Sequence, residues 1–377
     1  MDIGRIAQRF PLVARPRPAC PPLTERIREI STLAEAAHHD GGLSSAATAL
    51  NRAALIASDC GLPDLARNLC WRHVDIYLSA KPLSGTEARF ALEPLVNLAR
   101  LHIRAGDGDG AYQLLSALYD AVRRQAETTI DGRALLFQDL TEAPKDRRSV
   151  CQWLWTVLIG DGTRALVSAQ RWDRAREHIA LHKGVGHRLL DGRQVEIVSR
   201  CLNGDLARAR HVLDDSTLSE AWETPVASCL ALLCRAVEAA PTQRVTTKAT
   251  ADYLALEATP ELAVFRARLG LTVLALSPHR RPEVARRLVH DATLCPDGYV
   301  AREILGNTAC AWEMTSQERG ELIDAVTSGG LDQGSMPSCL EEALLDGVET
   351  SASAVAAHLM AARTRPPRPP TCQRDTL

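Results

Sequence analysis

The chain has 377 residues and a formal net charge of −2, from 44 basic and 46 acidic side chains. This near-balance argues against a general nucleic-acid binder, which needs a basic excess to neutralise phosphates. Hydrophobic residues make up 46% of the chain but aromatic residues only 4%. This aromatic-poor, Ala- and Leu-rich composition favours helices, and it argues against a β-sandwich, a collagen-like chain and a wholly disordered chain.

Both ends of the sequence are rich in proline. Arginine and proline alternate from Arg15 to Pro18, which predicts an irregular, partly disordered arm over 1–21. The segment 365–377 is again Pro/Arg-rich, and we expect a disordered tail there. The N-terminal segment lacks the apolar region of a secretory signal, and no run of about 18 apolar residues occurs, so we expect a cytoplasmic protein without a membrane partner.

Eleven cysteines are scattered along the chain, and none belongs to a C-x-x-C pair. Structural zinc sites need closely spaced ligand pairs, so the pattern favours free, buried thiols in a reducing compartment. The nearest approaches to a ligand pair are Cys70 with His73 and Cys229 with Cys234. Metal binding by a subset is the alternative, but we predict no metal site and no cofactor.

One helix after another is predicted between 22 and 364, with Gly and Pro at the breaks. Period-2 alternation is almost absent, so we predict an all-α fold with no sheet. Pro94 is expected to delay the regular start of its helix, and Gly347 to break the last one. The predicted helices are 22–38, 43–59, 63–80, 87–105, 108–126, 146–169, 172–183, 190–203, 205–214, 222–239, 244–256, 260–276, 282–295, 316–328 and 338–363.

Four connectors share one pattern, in which a turn residue is followed five positions later by an alanine. A tight turn followed by a helix with a small contact residue is how paired helices pack closely. The pairs are Gly61 with Ala66, Gly106 with Ala111, Gln170 with Ala175, and Gly204 with Ala209.

On this pattern the chain resembles the tetratricopeptide-type (TPR) helical repeats over about 40–300. The order of its motifs also looks like that of actinobacterial TPR-like regulatory and biosynthetic accessory proteins. The resemblance implies a single TPR-like α-solenoid over 22–364, built from helix pairs in irregular repeats. It also implies a concave groove that binds a peptide or a partner protein.

Polar strips on the predicted helices mark the candidate binding surface. In helix 87–105, Asn97, Arg100 and Arg104 share one face, apart from an apolar stripe. Arg guanidinium groups suit carboxylates and Asn amides suit extended peptide backbones. The candidate peptide- or partner-binding residues are Asn68, Trp71, Arg72, Asn97, Arg100, Arg104, Trp153 and Arg164.

Two alternatives to this binding surface remain open. The first is a solvated helix face, with Arg72 paired to Asp75 on its own helix. The second is a small-molecule site. In helix 146–169 the glycines at 160 and 162 are expected to weaken the helix, and Asp161 between them needs an ion-pair partner such as Arg164 or His178.

The segment 178–193 concentrates cationic side chains around two glycines. Gly184 and Gly186 precede a predicted helix, and free N–H groups at a helix start favour anions. The segment is interpreted either as an anion site or as a solvated basic turn. The candidate anion-binding residues are His182, Lys183, His187 and Arg193.

Two classes of function follow from these observations. The sequence contains no metalloprotease, nucleophile-elbow, P-loop, kinase or EF-hand motif. The first class is a non-catalytic binding scaffold or accessory subunit that recognises a peptide or partner enzyme, as a hetero-oligomer or a homodimer. The resemblance suggests a regulatory complex or one that matures a peptide natural product. The second class is an enzyme acting on a peptide, for example a cyclase, with a site dispersed across the groove.

Overall fold

The computed structural model describes residues 2–238 and 243–364, and the predicted tail at 365–377 lies outside them. Within these residues the fold is all-α apart from one short hairpin. None of the described helices is long and apolar enough to cross a membrane. The helices are α1 (Ile3–Ala7), α2 (Leu23–Asp40), α3 (Leu43–Asp59), α4 (Pro63–Leu78), α5 (Gly85–Arg104), α6 (Gly108–Arg124), α7 (Pro144–Val157), α8 (Thr163–Ser168), α9 (Trp172–Leu181), α10 (Asp191–Leu202), α11 (Leu206–Asp214), α12 (Glu223–Val237), α13 (Gln243–Ala255), α14 (Ala263–Leu276), α15 (Pro282–Leu294), α16 (Gly298–Leu305), α17 (Thr308–Ala311), α18 (Ser316–Ser328) and α19 (Ser338–Thr364).

The four connectors with the shared pattern are left-handed turns between packed helices. They join α3 to α4, α5 to α6, α8 to α9, and α10 to α11, and the two helices of each pair are in contact. The alanine five positions after each turn residue is 0% exposed, which confirms its predicted place in the helix contact. The turn residues have φ values of 77° at Gly61, 84° at Gly106, 59° at Gln170 and 79° at Gly204.

The prediction that the chain has no sheet is wrong at one place. Strands β1 (Glu127–Ile130) and β2 (Arg133–Leu136) form an antiparallel hairpin. The turn residues Asp131 and Gly132 have φ values of 48° and 76°, as a two-residue hairpin turn requires. An Asp-Gly pair after β-branched residues is itself a hairpin signal, but four-residue strands are too short for period-2 alternation to stand out.

Two helices continue through residues that were expected to interrupt them. A capping box between Ser84 and Glu87 starts α5 at Gly85, and Pro94 lies inside the helix. Helix α19 is unbroken at Gly347. A Cβ atom there would lie 2.9 Å from Cγ2 of Ile30, so this glycine permits the close approach of α19 to α2.

The last helix packs back against the first long helices of the chain. Helix α19 lies against α2 and α3, and its side chains Leu344, Val348 and Val355 belong to the same core as those helices. The main-chain N–H groups of Asp332 and Gly334 donate to carbonyl groups at the end of α3, each at 2.8 Å. The C-terminal helix therefore covers the apolar faces that α2 and α3 would otherwise expose.

Buried side chains form two main cores. The first joins α2 to α7 with α19. The second joins α1 and the arm to the helices from α8 to α18. The arm was expected to be irregular throughout, but Ile3–Ala7 is helical, and Phe10 and Leu12 are buried in the second core at 1% and 2% exposure.

Candidate functional site

A cavity of about 600 Å³ lies where the two cores meet, within the usual size range of ligand sites. Arm residues 11–18 form one of its walls, and residues of α3, α4, α5, α8 and α14 and of the turn before α8 form the others. The apolar lining includes Leu12, Leu55, Leu101 and Phe265. Among the described residues, its charged lining consists of Arg15, Arg17, Arg100, Arg104, Arg164, Arg268 and Asp161.

The polar strip of α5 faces this cavity. Asn97 is 2% exposed, and its side chain donates to Asn51 on α3. The amide oxygen of Asn97 accepts from Arg100 at 3.0 Å, and the same guanidinium donates to Asp161 at 2.8 Å. The Asn97 amide therefore hydrogen-bonds within the fold, where it positions Arg100. Asn97 and Asp161 hold the guanidinium of Arg100, while about half of the Arg100 side chain stays exposed.

Arg104, one turn further along α5, is held in the same manner. Its guanidinium donates to the Ser58 hydroxyl at 2.5 Å and to the Asp59 carboxylate at 2.9 Å. Asp59 is 4% exposed and also accepts from Arg26 at 2.5 Å and from the Tyr299 hydroxyl. This buried cluster joins α3 to α2, α5 and α16, and it fixes the position of a cavity arginine.

A π-helical turn at Leu158–Gly162 supplies the acidic side chain of the cavity. The predicted weakening at the two glycines is confirmed, because α7 ends and α8 begins on either side of this turn. The expected partners of Asp161 were wrong: it pairs with Arg100, and His178 instead contacts Tyr112 and a main-chain carbonyl. The ion pair with Arg100 holds this π-helical turn against α5.

Arg164 on α8 lines the cavity without a carboxylate of its own. Within the described part of the chain it has no ion pair and no hydrogen bond. Although the residue is exposed to the cavity, withdrawal from water lowers the pKa of its guanidinium. The carboxylates of Asp191 and Asp161 oppose that lowering, and the charges of Arg15 and Arg268 add to it.

The arm is held in the cavity wall through its main chain. Gln194 on α10 is 0% exposed, and its amide accepts from the Leu12 N–H and donates to the Leu12 carbonyl, both at 2.7 Å. Arg15 pairs with Asp191, and the Arg17 guanidinium stacks on the Tyr299 ring at 3.9 Å. Sequence analysis missed Gln194, because one glutamine in an amphipathic helix carries no local signal.

Four predicted binding residues lie away from the cavity. Arg72 pairs at 2.5 Å with Glu349 of α19, not with Asp75. Trp71 is 7% exposed and packs under Arg133 of β2. Asn68 and Trp153 are also absent from the lining, Asn68 exposed on α4 and Trp153 half-buried against the first core. The structure thus brings together Asn97, Arg100, Arg104 and Arg164.

The basic segment 178–193 does not present its cations as one group. The Arg193 guanidinium is buried and donates to two carbonyl groups, to Ser216 and to Asp215. His182 is half-buried and its ring contacts that of His178 in a tilted arrangement, with the centroids 4.7 Å apart, while Lys183 and His187 are exposed. Burial is the main cause of the lowered pKa of His182. Because α10 begins at Asp191, the two glycines are not at a helix start.

A second, smaller pocket of about 220 Å³ lies between α13, α14 and α15. Its lining is mostly apolar, with the ion pair between Arg266 and Asp291 at one side. The Arg266 guanidinium also donates to two main-chain carbonyls, so its donors are engaged. The Tyr253 hydroxyl is buried without a partner among the described residues. Among the described residues, the lining of this pocket offers no unpaired charge that could orient a polar ligand.

Comparisons with known proteins do not place this chain in a family. No protein-family model matches it, no curated protein is similar to it, and no solved structure resembles it. Its function therefore has to be argued from the cavity itself.

Proposed function

We propose that this protein is a non-catalytic binding scaffold that holds an extended segment of a partner protein in the cavity between its two cores. The cavity is the groove of the proposed TPR-like repeat architecture. The observation that carries the proposal is the combination of an arginine-rich lining with apolar walls. Such a surface favours a segment with acidic and apolar side chains.

The positions of the arginines support recognition. Arg100 and Arg104 are each held by side chains behind them, so little side-chain entropy is lost when they meet a ligand. Each of these guanidinium groups donates two hydrogen bonds to the protein and has five N–H donors in all, so further donors remain for a ligand carboxylate.

The arm supports the choice of an extended peptide as the ligand. Residues 11–18 already run along the cavity wall, and Gln194 holds both polar main-chain groups of Leu12. A side-chain amide that pairs with both groups of one residue reads the peptide backbone rather than its side chains. The arm thus shows that a peptide segment can lie along this cavity.

A scaffold is favoured over a Cys/His-assisted cyclase by the lining of the cavity. Among the described residues the lining includes Cys70 and no histidine. Burial raises the pKa of the Cys70 thiol to about 12, so it lacks the thiolate character of a catalytic cysteine.

Site-specific photocrosslinking in the native cell tests the proposal. A photoreactive phenylalanine analogue replaces Leu55, which lines the cavity, and in a matched control it replaces Leu181, which is 78% exposed on α9. We expect one stoichiometric crosslinked protein with the Leu55 probe and none with the Leu181 probe. The crosslinked peptide should be acidic.

A second arm of the experiment examines the role of the arginines. Arg100→Gln should reduce the Leu55 crosslink, whereas Arg28→Gln, a change of the same charge on an exposed residue outside the cavity, should not. Equal crosslinking from both probe positions, or none at Leu55, contradicts binding in the cavity.

A further inference from the structure

The six cavity arginines differ in how fully their charge is compensated. Three make close ion pairs with carboxylates: Arg15 with Asp191, Arg100 with Asp161, and Arg104 with Asp59. The other three, Arg17, Arg164 and Arg268, come from the arm, α8 and α14, and of these Arg268 has a longer ion pair, with Glu303 at 3.5 Å. These three lie far apart in the sequence but line one cavity.

Arg17, Arg164 and Arg268 each have N–H donors that remain available for a ligand. Arg164 has no ion pair or hydrogen bond within the described residues. The Arg17 guanidinium stacks on the Tyr299 ring at 3.9 Å, and Arg17 has no carboxylate partner among the described residues. Arg268 makes an ion pair with Glu303 at 3.5 Å, measured from Nε, and none of the hydrogen bonds in the described residues is donated by its side chain.

We propose that Arg17, Arg164 and Arg268 form an anion subsite that takes a phosphate dianion. The inference rests on the proposed function, because the subsite lies in the cavity where the partner segment binds. A phosphate group fits better than a carboxylate for two reasons. It carries about −1.5 to −2 charges against at least two uncompensated guanidinium groups, and its three terminal oxygens accept from several arginines at once.

The arrangement also explains the energetic state of Arg164. A guanidinium stays charged in a protein, and the like charges of Arg15 and Arg268 act against the charged form of Arg164. A bound phosphate would supply acceptors to Arg164 and reduce its repulsion with Arg15 and Arg268. The ligand therefore stabilises the protein as well as being held by it.

Titration calorimetry and thermal unfolding of the full chain at low salt test the subsite. The probes are inorganic phosphate and, at equal ionic strength, acetate. We expect phosphate to bind saturably and to raise the Tm, while acetate does neither. Arg164→Gln should weaken phosphate binding about ten- to a hundredfold, the effect of losing charged hydrogen bonds, and Arg268→Gln should weaken it as well.

Two controls keep the result interpretable. Arg28→Gln removes the same charge outside the cavity and should leave affinity within about twofold, since a distant exposed charge is screened. Arg164→Lys keeps the charge but loses the fork, and it should recover part of the affinity. Circular dichroism checks that each variant is folded. Equal binding of acetate, or phosphate binding that is indifferent to both Arg164→Gln and Arg268→Gln, overturns the proposal.

A pair of peptides distinguishes the source of the phosphate. One carries phosphoserine and its twin carries serine. Tighter binding of the phosphopeptide than of inorganic phosphate assigns the group to a partner segment, and the reverse assigns it to free phosphate. The subsite and the proposed function can fail separately. Phosphate binding without a Leu55 crosslink leaves the subsite alone standing, and a Leu55 crosslink unaffected by Arg164→Gln leaves the scaffold alone standing.

Discussion

Replacement of Asp59 by asparagine is the sharpest test of how the fold is held together. Asp59 is 4% exposed, and Arg26, which it contacts at 2.5 Å, is 10% exposed. The substitution keeps the shape of the side chain but removes its charge. It leaves Arg26 buried without a counter-ion, and the charge-assisted bond from Arg104 is lost as well.

The expected loss of stability is large because the pair is buried. Removing one partner of a buried ion pair costs about 3–5 kcal/mol, most of it the cost of the remaining charge. An unfolding entropy of about 2.1 cal/mol/K per residue gives roughly 0.8 kcal/mol/K for 377 residues. The Tm of Asp59→Asn should therefore fall by about 4–6 °C.

The matched control is Asp75→Asn, which makes the same chemical change at the surface. Asp75 pairs with Arg133 at 2.7 Å, but its side chain is 53% exposed and that of Arg133 is 44% exposed. Exposed pairs contribute about 0–1 kcal/mol. Thermal and urea unfolding of both variants measure the difference. If Asp59→Asn stays within about 1 kcal/mol of Asp75→Asn, the Asp59 cluster is not the joint inferred here.

Three further predictions concern the turns, a buried histidine and the arm. Gly106→Ala should lower the unfolding free energy by about 1–2 kcal/mol, because φ at this position is 84°. Nothing lies within 4 Å of the new Cβ, so the cost is backbone strain and not a clash. Gln170→Gly should raise the unfolding free energy, and urea unfolding measures both variants. Burial lowers the pKa of His178 to about 4 in the folded protein. As the pH falls from about 6.5 to 4, this histidine is therefore protonated in the unfolded chain but not in the folded one. The free energy of unfolding should fall by up to about 3 kcal/mol over that range. Unfolding of His178→Gln across that range should depend less steeply on pH, and an unchanged slope contradicts the assignment. Gln194→Leu leaves both main-chain groups of Leu12 unpaired, so hydrogen exchange in the arm should speed up at least tenfold while exchange in α19 is unchanged.

Much of the helical framework follows from the sequence alone. Periodicity and helix breakers predict α3 at 43–59 and α18 at 316–328 with the bounds that the structure has, because helix starts and stops are local events. The left-handed turns at Gly61 and Gly204 are predictable for the same reason. So is the shared face of Asn97, Arg100 and Arg104, since a helix places residues three and four apart on one side.

Two features depend on the tertiary structure: the packing of α19 against α2 and α3, and the set of side chains that line the cavity. From the sequence, Gly347 is predicted to break its helix, but in the structure it is the position where α19 comes close to α2. Arg17 and Arg268 can be recognised as candidate binding residues only because the arm and α14 line the same cavity as α8. Gln194 holds Leu12 from 182 residues away. Contacts between such distant residues leave no periodic or local pattern, because they depend on how whole helices pack rather than on the order of neighbouring side chains.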